Sequence, residues 1–352
     1  LAASARSLDL FCRVIDNLGD AGVCLRLARR MAGGFAWTVR IFIDAPEVIN
    51  PLMPIGVTGV QVLPWAAAEQ AGTQPADAVI EAFACELPAA YRARMAAREP
   101  APRWLNLEYF SCEDWVAGSH GLPSLQPDGL AKHFWIPGLR AGSAGVTVLP
   151  HVAVSGPGPR QHDEPLRGLL FCYPDAPWPD WLARAGAGSR AISLWVPAAG
   201  HGLRVAGTGA VSVSLAPLMD QAQFDARLAV LDFAFVRGED SVVQAIVSGV
   251  PFIWNIYAQA DGAHEPKLAA LLAWWCAGLH RDAAAVMQQV HRAWNSPRWP
   301  APEEGAASLW QRYLDVLPLL AEHARRVAAR LRAEPDLGAR LAAWVGPSQP
   351  NG

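Results

Sequence analysis

The chain has 352 residues, 52% hydrophobic and 17% charged, with a formal net charge of -3 at pH 7. That length is too great for one ordinary core and comfortable for two, and the composition excludes a disordered chain. The weak net charge offers nothing to nucleic acid or an anionic membrane, so any electrostatic site must be local.

The N-terminal half alternates strand and helix patterns. "LDLFCRVI" (8–15) reads as a first core strand. "AGVCLRLARRMAG" (21–33) has apolar residues at helical spacing, with Arg-Arg and Gly-Gly as a stop signal. "TVRIFID" (38–44), "GVQVLPW" (59–65), "AVIEAFAC" (78–85) and "RWLNLEYF" (103–110) read as further strands. Gly, Pro and polar residues cluster in "VSGPGPRQHDEPL" (154–166), the best linker. The alternation then restarts: strands at 168–173, 191–197, 211–218, 233–236 and 250–254, helices at 179–188, 223–231 and 241–249, and a mostly helical tail from about residue 303. The expected division is 1–155, 156–330 and a helical tail, 331–352, packing back on the N-terminal domain. Strands alternating with helices predict an α/β fold with parallel sheets covered on both faces. Ligands in such sheets lie at the carboxyl ends of strands.

Cys12, Cys24, Cys85, Cys112, Cys172 and Cys276 form no C-x-x-C pair and lie mostly in apolar surroundings, so they read as buried free thiols. The nine histidines lack H-E-x-x-H or H-x-E spacing, so no metal is expected. The fifteen tryptophans read mainly as core residues. No secretory leader is recognisable, and no apolar run reaches the roughly 20 residues of a membrane span. The longest, "LAALLAWWCAGL" (268–279), reads as a core helix. A cytoplasmic protein is expected.

Two turns carry candidate chemistry. In "FVRGEDSVVQA" (235–245) a strand runs to Val236, residues 237–240 turn, and Ser241 is placed to cap a helix. The start of that helix, with Arg237 beside it and Gly238 allowing close approach, suits a phosphate. A capped helix start with Glu239 and Asp240 answering the dipole is the plainer alternative. "DNLGD" (16–20) follows the first strand. Asp20 there is either an ordinary N-cap or part of a ligand site, and a calcium loop is weaker for want of the ligand spacing. "GTGAVS" (207–212) is not G-x-G-x-x-G, "AGSAG" (141–145) is not G-x-S-x-G, and no P-loop is present.

Taken together, "FCRVIDNLGDAGVCLRLAR" (11–29), "VIEAFACELP" (79–88), "WLNLEYFS" (104–111) and "FVRGEDSVVQAIVSGVPFIWNIYAQADGAHEPKL" (235–268) closely resemble, in order, the bacterial EarP-type protein-arginine rhamnosyltransferases that modify elongation factor P. The resemblance implies a GT-B architecture, with two Rossmann-like domains facing each other across a cleft. It implies metal-independent transfer of rhamnose, with inversion, from dTDP-β-L-rhamnose to one arginine of elongation factor P. On the donor side it implies Arg237, Gly238, Asp240 and Ser241 at the diphosphate and sugar, Gln221 at the thymine edge, Phe224 as a stacking face, and Phe171, Tyr173 and Gln259 beside the donor. On the acceptor side it implies Asp16, Asn17, Gly19 and Asp20, with Asp20 the first choice of general base, Asp16 an orienter or alternate base, and Glu239 supporting the sugar or the cationic acceptor. The family's usual "WHIYPQ" departs here to "WNIYAQ", with Asn255 for His and Ala258 for Pro. Residues 106–115 are a candidate rim for the protein acceptor, or simply a strand end and solvated loop. Competing readings are another metal-independent GT-B nucleotide-sugar enzyme, a non-catalytic nucleotide-sugar-binding regulator and, more remotely, a dehydrogenase.

Overall fold

The computed structural model describes residues 6–15, 18–150, 164–197, 205–217, 219–302 and 307–346. They fall into two compact units, Leu1–Pro150 with Pro335–Gly352, and His151–Glu334.

The first unit runs β1 (Ser7–Cys12), α1 (Leu18–Phe35), β2 (Thr38–Ile43), β3 (Val60–Pro64), β4 (Ala78–Ala82), α2 (Ala89–Ala97), β5 (Arg103–Leu107), α3 (Val116–Ser119), β6 (Pro123–Leu125) and β7 (Ala131–Trp135). Its sheet order is β3-β2-β1-β4-β5-β7-β6, parallel throughout except where β6 meets β7. Side chains alternate across the sheet. Leu8, Leu10 and Cys12 join the core that holds Ala21, Cys24 and Met31 of α1. Phe11 faces the other way, toward Phe42 and Tyr91.

The second unit runs β8 (Leu166–Leu170), α4 (Trp178–Gly186), β9 (Ile192–Pro197), β10 (Val211–Ala216), α5 (Gln221–Leu228), β11 (Phe233–Arg237), α6 (Gly238–Ser248), β12 (Phe252–Asn255), α7 (His264–Trp275), α8 (Arg281–Trp294) and α9 (Leu309–Ala333). Its sheet is wholly parallel, in the order β10-β9-β8-β11-β12. Trp181, Trp294 and Trp310 pack edge-on or tilted around Phe235 and Phe233. Trp181, Trp254, Trp275 and Trp294 are fully buried.

The last helix, α10 (Leu337–Val345), belongs to the first unit. Leu337, Leu341 and Val345 enter the core beside Met31. Asp336 caps α10 by accepting from the Ala339 N–H, and its carboxylate takes Arg30 in a bidentate pair at 2.7 and 3.1 Å. Glycine at 338 makes room for Arg30, since a Cβ there would meet Arg30 Cγ at 2.6 Å and force a shift.

Several boundaries differ from the sequence expectation for identifiable reasons. β1 stops at Cys12, because the Val14 and Ile15 N–H groups turn to the carboxylates of Asp44 (3.0 Å) and Asp20 (2.9 Å) instead of the sheet. α1 starts at Leu18 and runs through Gly33 and Gly34 to Phe35, whose ring packs on the core and carries Arg30 over its face at 4.6 Å. α5 starts at Gln221, two residues early, because Asp220 and Gln223 form a capping box. The β6–β7 hairpin and α8 had no sequence expectation.

Candidate active site

Asp20 is not an N-cap. It is the third residue of α1, 2% exposed, and its Oδ2 accepts the Ile15 N–H at 2.9 Å. The carboxylate therefore closes the turn from inside the helix. That orientation keeps it at the carboxyl end of β1, where the strand order reverses between β1 and β4. Gly19 is the residue before it in the same helical turn, and half-buried. Asp16 and Asn17 lie outside the described residues. Beneath the turn, burial, a hydrogen bond with Cys12 and the nearby Asp20 push the Cys24 thiol well above its usual range. Burial likewise raises Cys85 to about 12 and Cys172 to about 12, so these thiols stay protonated near neutral pH. None of the six cysteines forms a disulfide.

In the second unit the corresponding reversal falls between β8 and β11. The turn after β8 carries Phe171 and Tyr173, and β11 ends in Arg237. The Arg237 guanidinium lies over both rings, 4.7 Å from the Phe171 centroid and 4.8 Å from that of Tyr173. Two cation–π contacts hold the guanidinium in place. Phe224, on α5, meets Phe171 edge-on at 5.9 Å and Trp195 at 6.0 Å. Gln221, at the start of the same helix, is 4% exposed. Tyr257 closes on Tyr173 at 5.6 Å.

The structure corrects the reading of "RGEDS". α6 begins at Gly238, so Arg237 rather than Ser241 occupies the cap position, and no side chain caps the first turn from there. Ser241 is inside the helix, where its hydroxyl donates to the Arg237 carbonyl. Gly238 has φ +63°, which explains glycine at the joint. Trp254 Nε1 steadies that joint by donating to the Gly238 carbonyl at 2.9 Å. First-turn N–H groups and the dipole at a helix start of this kind can accept an anion. Glu239 and Asp240 occupy the first turn, and Glu239 is ion-paired with Lys267 of α7. This pairing was not foreseen, because 28 residues separate the partners.

Asn255, standing where the resemblance implies histidine, is buried. Its Oδ1 accepts the Tyr173 N–H at 2.8 Å and its Nδ2 donates to Asn295 Oδ1 at 3.3 Å. Asn295 in turn takes the Ile256 N–H at 3.0 Å and donates to the Trp254 carbonyl at 2.8 Å. Asn255 thus ties the turn bearing Tyr173 to the end of β12, and the Asn–Asn pair ties that strand end to the C-terminus of α8. Gln259 and Ala258 lie beyond it in an exposed segment, where the Gln259 N–H donates to His264 Nδ1 at 3.1 Å. Phe171, Tyr173, Phe224 and Arg237 thus form one cluster. Among the described residues no group of three or more His, Cys, Asp or Glu is placed to hold a metal ion. No described helix is long and apolar enough to cross a membrane.

Comparison with known proteins bears on this pair of sites. The family model described as elongation factor P (EF-P) rhamnosyltransferase EarP matches residues 8–346. The chain is 38% identical to the protein-arginine rhamnosyltransferase of Pseudomonas putida and 36% identical to that of Pseudomonas aeruginosa, each alignment covering 95% of this chain and 97% of the relative. A solved structure described as the structural basis for EarP-mediated arginine glycosylation of translation elongation factor EF-P superposes with a TM-score of 0.59 at 26% identity, over 96% of this chain and 98% of that one. A spinosyn rhamnosyltransferase complexed with thymidine diphosphate shares the fold, with a TM-score of 0.55 at 11% identity over 96% and 99% of the two chains. The fold is that of the GT-B glycosyltransferases, and the chain belongs to the EarP family of protein-arginine rhamnosyltransferases.

Proposed function

We propose that this enzyme transfers L-rhamnose from dTDP-β-L-rhamnose, with inversion, to one arginine of elongation factor P, in the cytoplasm. The observation that carries the reading is the chemical opposition of the two turns. A buried carboxylate follows β1 in one unit, and an aromatic-flanked arginine precedes an uncapped helix in the other. The family's protein-arginine relatives and the thymidine-diphosphate complex of a fold relative support the acceptor and donor classes.

A guanidinium has a pKa of about 13.8, and deprotonating it at neutral pH costs about 9 kcal/mol. The site must therefore orient a nitrogen lone pair while the proton leaves. In the proposed step a guanidine nitrogen attacks the anomeric carbon of the donor. The carbon–oxygen bond to the diphosphate breaks, its electron pair leaves with dTDP, and Asp20 takes the proton. Asp16 is the proposed orienter or alternate base, with Asn17 and Gly19 beside the acceptor. Arg237, Ser241, Asp240 and the N–H groups of α6 are proposed to stabilise the leaving diphosphate, which would supply the negative charge that Arg237 answers. Gln221 and Phe224 are assigned to the thymine, Phe171, Tyr173 and Gln259 to the donor's surroundings. Glu239 is proposed to support the sugar or the acceptor, with Lys267 fixing its position.

The test is incubation with dTDP-rhamnose and unmodified elongation factor P, followed by peptide mass measurement. A gain of one deoxyhexose on a single arginine is expected, and an unchanged acceptor would overturn the assignment.

A further inference from the structure

Three residues other than glycine hold left-handed backbone in one short loop after β4: Phe83 at φ +56°, Ala84 at +53° and Glu86 at +54°. Each such residue is strained and persists only where the surroundings over-determine it. Here they do. The Phe83 N–H donates to the Leu107 carbonyl at 2.8 Å, the Ala84 N–H to Asn106 Oδ1 at 3.0 Å, and the Glu86 N–H to Glu81 Oε1 at 3.2 Å. Cys85 Sγ donates to the Phe11 carbonyl at 3.4 Å. The anchors are themselves fixed: Asn106 donates to Glu108, and Lys132 holds both oxygens of the buried Glu81 at 3.4 Å.

This strain presents a ring. Phe83 stacks on Tyr109, with centroids 4.3 Å apart and planes at 14°. One edge of Phe83 packs against the core that contains Ala21 and Cys24 of α1, and Tyr109 is 37% exposed. In the sheet register Phe11 lies beside Glu81 and Leu107 beside Ala82. The pair therefore stands at the carboxyl ends of β4 and β5, level with the exit of β1 that leads to Asp20. Two acids neighbour it in sequence: Glu108, which precedes Tyr109, is half-buried, and Glu86 is exposed at the end of the loop. A flat, partly exposed aromatic pair with acids close by in the chain suits a planar cation.

The geometry points to the Phe83–Tyr109 pair as the surface on which the acceptor's arginine side chain stacks before transfer. The loop's strain fixes the ring plane, and the stacked face holds the guanidinium flat while it stays charged. This rests on the reading of an arginine acceptor given above. Phe83 and Tyr109 are acceptor contacts, and neither is assigned a proton or bond-making role.

The test uses the full-length chain carrying Phe83→Leu, Tyr109→Leu or Phe83→Tyr, with elongation factor P as acceptor and dTDP-rhamnose saturating. Both leucine variants are expected to raise the acceptor KM about tenfold, close to 1.4 kcal/mol. Their kcat should change less than twofold, donor affinity by calorimetry should hold, and Phe83→Tyr should restore the KM. Unchanged acceptor KM in both leucine variants overturns the assignment, as does a loss confined to kcat. A second arm needs neither donor nor protein acceptor. Titration of the wild-type chain with N-acetylarginine amide should shift the ring-proton resonances of Phe83 and Tyr109, and the uncharged citrulline amide should not. Rings that respond to neither compound, or equally to both, overturn it. Wild-type failure to modify elongation factor P, with the ring shifts intact, would sink the choice of acceptor protein and leave the stacking surface standing.

Discussion

The two units share one strand order at their centres, third-second-first-fourth-fifth, yet the equivalent turns carry opposite chemistry. After the first strand, one unit places a buried carboxylate, Asp20, and the other places the aromatic pair Phe171 and Tyr173. After the fourth strand, one unit takes a strained loop through Phe83 and Ala84, and the other runs through Arg237 and Gly238 directly into a helix. The switch point of a parallel sheet only supplies a place where loops diverge. In the proposed reaction, acid in one turn serves the cationic nucleophile and cation in the other serves the anionic leaving group.

The largest expected break in that contrast is Asp20→Asn. An asparagine oxygen retains the bond to the Ile15 N–H, so the turn survives and only the charge and basicity go. Transfer should fall about 10²- to 10⁴-fold with donor affinity unchanged, measured by single-turnover kinetics and calorimetry. A wild-type rate would remove Asp20 from the chemistry.

Acid should then separate the units by stability. His291 is fully buried; its Nε2 accepts the Trp254 N–H at 3.1 Å, and burial pushes its imidazole down to about 4 from 6.5. Unfolded chain therefore binds a proton that folded chain refuses in the window between those values. The contribution is complete above 6.5 and is lost as pH falls toward 4. Urea unfolding should show the second unit losing about 2 kcal/mol between about pH 7 and about pH 5. His291→Gln should flatten that slope, and an equal slope in the variant would assign the loss elsewhere.

Arg237→Ala should weaken donor binding about ten- to a hundredfold, since a charged hydrogen-bonding partner contributes about 1.5–3 kcal/mol. Unchanged donor affinity in calorimetry would leave Arg237 as a packing residue between two rings. The smallest effect belongs to Asn255→Ala, which strands the Tyr173 N–H and should cost about 1–2 kcal/mol in thermal unfolding, with a milder loss of donor affinity. An unaltered melting temperature would mean that the turn holds without this tie.

Strand and helix alternation was legible because parallel strands buried on both faces read as apolar runs. The turns at 16–20 and 237–241 were singled out by the resemblance, which rested on four sequence blocks in order. Their local geometry was not. Ser241 reads as a cap because hydroxyls favour that position, but glycine at 238 adopts the positive φ that lets the helix begin three residues sooner. Asp20 reads as a cap for the same reason, and the backbone bends earlier than the apolar pattern suggests. The loop at 83–86 leaves no compositional trace, because its left-handed residues include none of the glycine or asparagine that normally marks them. The Glu239–Lys267 and Asn255–Asn295 pairs depend on tertiary packing that local spacing does not encode.

The return of α10 to the first unit bears on how the molecule is made. The core around Met31 is closed by Leu337 and Leu341, and the Arg30 charge is met by Asp336. These residues leave the ribosome after the whole second unit. At synthesis rates of about 5–20 residues per second, the N-terminal sheet waits on the order of ten seconds or more for its last helix. During that interval the apolar face of α1 lacks its cover. The helix that closes the core of the first unit is thus made only after the whole second unit.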